Sequence, residues 1–166
     1  MLHLILHAGG HRFALDANQV VELLPLVRIE KPPHLSAAYA GLNNYRGSLL
    51  PVLDLCALTG GLAAPQRLST RIVLVRQAGG PAGHAVAGLM VERATETQNR
   101  EASDFAPQGG RPTTSAVNFL EGTITDEKGL LHRLNLAALW ASVAKPAGVA
   151  GETGRTTWDM LNLKSC

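Results

Sequence analysis

Aromatic side chains, charge and cysteine are all scarce in this chain. Phe, Trp and Tyr make up 4% of its 166 residues, while Gly (17) and Pro (9) are plentiful. That balance suits many short strands joined by tight turns better than a helical bundle. Charged residues reach 17% against 46% hydrophobic, too little charge for a disordered chain. A formal net charge of +2 argues against binding nucleic acid through massed phosphate contacts. Two cysteines, one of them Cys166, give no disulfide framework, and without a CxxC pair they give no zinc site. No apolar run reaches the roughly 20 residues of a membrane-spanning helix. The opening residues carry no basic stretch followed by a cleavage site, so a soluble chain of a reducing, cytoplasmic compartment is expected.

What is present reads as strand and turn. Leu2, Leu4 and Leu6 alternate with His3, Ile5 and His7, which predicts a strand with one buried face. Gly9-Gly10 predicts a two-residue hairpin turn that sets His7 opposite Arg12. Val20 to Ile29 reads as extended and split by Pro25, hence bent or at a sheet edge. Gly41 to Leu55 reads as strand, Arg46-Gly47 turn, strand, with Asp54 capping a short helix over Leu55 to Thr59 that Gly60-Gly61 stops. Further strands are expected over Arg71 to Gln77, Ala85 to Val91, Val117 to Thr125 and Leu130 to Asn135. Turns at Gly79 to Gly83 and Asp126 to Gly129 would join them in pairs. Arg100 to Ser115 reads as loop. A helix from Asn135 would put Leu136, Leu139, Trp140 and Val143 on one side, and Lys145 to Cys166 reads as a flexible tail.

Catalytic and metal chemistry find little support. His3, His7 and His11 recur every four residues, but that step spans about 13 Å along a strand, too far to share an ion. Surface or half-buried histidines are expected instead. Gly79 to Gly88 lacks the ending of a phosphate loop, and no serine lies in a GxSxG elbow. Asp126 and Glu127 read as solvated turn residues. One constellation stands out. Glu22 lies mid-strand and Arg46 at a turn among apolar residues, where a lone charge is costly unless paired.

The run Gly41, Leu42, Asn44, Arg46, Gly47, Pro51, Val52, Leu53, Asp54 and Leu55 resembles the CheW family, the adaptors of bacterial chemotaxis-type arrays. Leu15-Asp16 and Val20-Val21-Glu22-Leu23 upstream, with Thr70 to Val75 and Leu134 to Leu139 downstream, fit the family in order and spacing. The likeness covers roughly residues 2 to 143. Leu23 to Val27, Tyr45-Arg46-Gly47, Asp54 to Leu58 and Leu68 to Arg71 are most similar to coupling proteins of Wsp-type surface-sensing systems, with chemotaxis and pilus-associated adaptors staying open. The chain departs from the family pattern at Tyr45, which stands where an aliphatic residue is usual, and at Ser36, near the place of a second proline.

The resemblance implies a mainly β fold over residues 1–144: two small five-stranded barrels packed together, with one or two short helices. Phe13 to Thr70 would build the first barrel, and Arg71 to Leu134 with the N-terminal strand the second. It implies a non-catalytic adaptor that needs no metal or cofactor. Such a protein joins a chemoreceptor's cytoplasmic helical tip, held in a groove, to the regulatory domain of a CheA-like histidine autokinase, touched barrel to barrel. The adaptor would be cytoplasmic, recruited to membrane-associated receptor arrays without inserting in the membrane. By the same likeness Glu22 and Arg46 form an ion pair beside the receptor groove, with Val20 and Leu23 as neighbours on the strand. Gly41, Asn44 and Gly47 shape the loop carrying Arg46, and Gly88 and Val91 lie on a second-barrel strand as the other groove wall. A small-molecule-binding barrel outside the array is the alternative reading.

Overall fold

Gly9 and Gly10, at φ 59° and 80°, turn the chain back on itself by a tight reversal that matches strand twist. They join β1 (Leu2–Ala8) to β2 (His11–Asp16), and His7 faces Arg12 across the pair. The computed structural model describes residues 1–76, 86–107 and 119–144. The turn expected at Gly79 to Gly83, the start of the strand expected from Val117 and the tail from Lys145 lie outside them. The remaining elements are β3 (Val20–Pro25), β4 (Tyr39–Tyr45), β5 (Ser48–Asp54), α1 (Leu55–Leu58), β6 (Arg71–Arg76), β7 (Val86–Val91) and β8 (Arg93–Asn99). They are followed by β9 (Ala106–Pro107), β10 (Leu120–Asp126), β11 (Gly129–Leu134) and α2 (Leu136–Ala144).

These strands form two sheets, in the orders β3-β6-β7-β5-β4 and β8-β1-β2-β11-β10-β9. The fold class is as expected, except that the second sheet gains a sixth strand of two residues, β9. The division of the chain is not. Arg71 to Val91, expected in the second barrel, supplies β6 and β7, the inner strands of the first sheet. Both halves of the N-terminal hairpin belong to the other sheet, where β2 runs parallel to β11. β5 and β7 form the matching parallel contact, in which Val52 to Asp54 pair with Gly88 to Met90. Pro51, which has no N–H to give, stands just before that contact begins.

The first sheet closes on itself. Its outer strands are β3 and β4, and the chain leaving β3 returns to β4 through Glu30 and Leu42. Their backbones exchange two hydrogen bonds, of 3.0 and 2.7 Å. Gly41 makes that approach possible. At φ 147° it occupies a backbone region closed to ordinary side chains, and a Cβ there would lie 2.4 Å from the Glu30 carbonyl oxygen.

One apolar cluster joins both sheets and α2, running from Leu6, Phe13 and Leu15 through Leu53, Leu74 and Leu89 to Leu136, Leu139 and Trp140. A smaller one, Ile5, Ala14, Phe105 and Leu131, is confined to the six-stranded sheet. β1 therefore departs from the expected single buried face. Ile5 and Leu6 are both fully buried, one in each cluster, whereas Leu2 is half exposed. His3 is fully buried too, beside Phe105, where a surface or half-buried histidine was expected.

Asp126 is the other correction. In place of a solvated turn carboxylate, it accepts two hydrogen bonds from the Arg12 guanidinium, at 2.6 and 2.9 Å. Both side chains are about nine-tenths buried. This fork holds the β10–β11 turn against β2 and sets the Asp126 carboxyl down to about 2. Lys128 to Glu96 at 2.8 Å and Arg100 to Asp126 at 3.8 Å carry the same network to the β8 side of the sheet.

Candidate partner-binding site

β3 alternates between half-buried and exposed residues because only one face of this outer strand meets the core. Val20, Glu22 and Leu24 share the inner face, while Val21 and Leu23 stand outside at about 40% exposure. Two neighbouring apolar side chains left in water on an outer strand are the usual material of a contact surface.

The β4–β5 hairpin brings the second half of the site. Its turn is Arg46-Gly47, at φ 51° and 84°, and Arg46 is the one non-glycine at positive φ among the described residues. A side chain in that region is disfavoured, so its presence marks a place where the surroundings hold it. Asn44 does part of this: its Oδ1 accepts from the Gly47 N–H at 3.1 Å. Asn44 and Gly47 thus meet within the turn that carries Arg46. Gly41 acts elsewhere, at the closing seam with Glu30.

Glu22 and Arg46 do meet. Arg46 Nη2 lies 3.6 Å from Glu22 Oε2, with the two side chains 77% and 40% exposed. The setting is not the costly buried one that spacing implied. This is a surface pair, worth about 0–1 kcal/mol. A residue between them completes the group. The Tyr45 hydroxyl donates a short hydrogen bond to Glu22 Oε2, and the Arg46 guanidinium carbon lies 5.0 Å from the Tyr45 ring centroid. The same hydrogen bond raises the Tyr45 phenol above its ordinary pKa. Glu22, Tyr45 and Arg46 therefore tie the two outer strands together while leaving most of the guanidinium in water. Tyr45 was legible as a departure from the aliphatic pattern, and its partner is what the sequence did not reveal.

The remaining expected residues lie deeper. Val20 is half-buried and packs on the main cluster. Gly88 and Val91 are on β7, between β6 and β5 of this same sheet and not on the second one. A Cβ on Gly88 would come to 3.0 Å of both Ile72 and Val52, and Val91 has no exposed surface, so each acts on a surface only through packing.

Beside the seam lies an open cleft of about 570 Å³, walled by Leu26, Ile29, Tyr39, Ala64 and Met90, with Arg28 and Lys31 at its edge. Its carboxylate, Asp54, is already engaged, capping α1 through the Cys56 and Ala57 N–H groups and accepting a third hydrogen bond from Ala64. Among the described residues no three of His, Cys, Asp and Glu gather as metal ligands would. No helix among them is long and apolar enough to cross a membrane. Cys56 sits buried, its thiol pushed up to about 11 by burial, so it is not poised as a nucleophile.

A sequence profile described as CheW-like domain matches residues 3–144. The chain belongs to the CheW-like family. Protein PilI of Pseudomonas aeruginosa is 30% identical over 120 residues, an alignment covering 72% of this chain and 65% of PilI, so the likeness reaches just under two thirds of that relative. The CheW-like fold is matched again by the crystal structure of the scaffolding protein TtCheW from Thermoanaerobacter tengcongensis. Its TM-score is 0.73 at 23% identity, over 89% of this chain and 90% of that one.

Proposed function

We propose that this CheW-like chain is a non-catalytic coupling protein of a chemosensory system, joining a chemoreceptor's cytoplasmic helical tip to the regulatory domain of a histidine autokinase. The match of the family profile across residues 3–144 carries the reading. The Glu22–Tyr45–Arg46 group supports a binding role for this face. It fixes the seam of the first barrel and offers an under-used guanidinium beside exposed Val21 and Leu23. In this reading Arg46 and Leu23 touch a partner, Glu22, Asn44 and Gly47 position Arg46, and Val20, Gly41, Gly88 and Val91 hold the strands beneath. The adaptor works in the cytoplasm and is recruited to receptor arrays at the membrane.

The likeness to Protein PilI supports the pilus-associated reading over the Wsp-type surface-sensing one. The adjacent response regulator in the source genome separates the two by its output domain.

Calorimetric titration with the autokinase regulatory domain and with a receptor-tip hairpin from the same genome tests the proposal. Saturable one-to-one binding of either, weakened by Arg46→Ala while the melting temperature holds, is the expected result. Absence of binding to both removes the coupling mechanism and brings forward the small-molecule reading, for which the 570 Å³ cleft is the place to look.

A further inference from the structure

The histidine repeat near the N-terminus serves no role in the coupling site, yet the fold gathers part of it with arginines from distant segments. His7 and His11 both line a cleft of about 310 Å³, together with Gly10, Arg67, Ser69 and Arg93. Each member is held by backbone structure. His7 and Arg93 face each other across β1 and β8, and the Glu92 N–H bonds to the His7 carbonyl at 2.9 Å. Arg67 starts a turn closed by buried Thr70, whose N–H donates to the Arg67 carbonyl while its hydroxyl accepts from the Arg67 N–H.

The chemistry is that of an anion site. Among the described residues neither Arg67 nor Arg93 has a carboxylate within 4.0 Å. Arg93 Nη2 instead approaches His7 Nδ1 at 3.4 Å. A guanidinium only donates, so Nδ1 accepts and the ring is the neutral form with its proton on Nε2. One carboxylate, Glu92, shares the wall, which leaves one formal positive charge in excess before either imidazole is protonated. Burial and the cations Arg93 and Arg12 hold His7 below its ordinary pKa, with Lys128 adding and Glu96 opposing. A bound dianion would reverse that balance.

We propose that this cleft binds a small oxyanion of the phosphate class, gripped by Arg67 and Arg93 and by His7 as it takes up a proton. Forked guanidiniums match tetrahedral oxyanions, and the Ser69 hydroxyl adds a neutral donor. Binding and protonation of His7 are therefore linked: the anion raises the pKa of the imidazole it contacts.

Titration of the full chain with inorganic phosphate, followed by the His7 ring signals in NMR and matched against sodium chloride of equal ionic strength, tests this. A saturable shift of His7 in phosphate alone is expected, with the His7 pKa raised at saturation. Arg67→Gln and Arg93→Gln should each weaken binding by about tenfold or more while leaving the fold's spectrum intact. An equal response to chloride, or a phosphate response untouched by both substitutions, overturns the proposal.

Discussion

At the scale of single residues, exposure decides which charges matter to folding and which are free to act. Arg46 is mostly in water, so Arg46→Ala should lower stability by no more than about 1 kcal/mol in urea unfolding. Any larger loss of partner binding would then belong to the contact itself. Tyr45→Phe removes the hydroxyl that anchors Glu22 and should loosen Arg46 without unfolding the barrel, seen as sharper, averaged Arg46 side-chain resonances. Arg12 and Asp126 behave in the opposite way. Asp126→Asn leaves a guanidinium buried without its counter-charge and should cost about 3–5 kcal/mol by the same urea measurement. The contrast could not be read from sequence. Glu22 and Arg46 drew attention by sitting among apolar neighbours, whereas Asp126 sat in a polar turn and its partner lies 114 positions away.

At the scale of elements, titration of the strands sets the response to acid. His3 donates through Nδ1 to the Met1 carbonyl, and its buried Nε2 has no partner among the described residues, so a second proton there would be stranded. Burial lowers the pKa of His3, His7 and His132, helped by Arg133 at His3, by Arg93 and Arg12 at His7, and by His11 at His132. The unfolded chain, with histidines near 6.5, binds more protons just below that pH. Stability should thus be level above about pH 6.5 and fall as pH drops through the lower folded values. A second decline follows from about pH 4 down to about 2, as Asp126 is protonated. Melting temperatures across pH check both, and His3→Leu should make the first shallower while His7 and His132 sustain the rest of it. Elements with a strong local signature were legible: the Gly9-Gly10 and Arg46-Gly47 hairpins, the Asp54 cap, and the apolar stripe of α2. β8 was not, because Arg93 to Asn99 holds a single apolar residue, Ala94, and lies at a sheet edge where little burial is needed. β1 misled for the converse reason, since it lies between two cores and its alternation of burial changes face at the Ile5–Leu6 step, one residue entering each cluster.

At the scale of the whole molecule, the shared apolar cluster makes the two sheets one cooperative unit. Leu139 of α2 is fully buried in it, and Leu139→Ala should cost about 2–5 kcal/mol. Far-UV circular dichroism and near-UV circular dichroism should lose signal in one coincident transition, before and after the substitution. Family order and spacing revealed two barrels, but not which strands each would take, because pairing between β2 and β11 is written in no local stretch. That pairing has a consequence during synthesis. The first barrel is a continuous stretch from Val20 to Val91 and can close as soon as that stretch leaves the ribosome. The N-terminal hairpin emerges first and is finished last, its β2 edge open until Leu131 to Arg133 arrive to cover it. Until then the nascent chain carries an unsatisfied strand edge, so a ribosome stalled before β11 should release a product that aggregates through the open edge of β2.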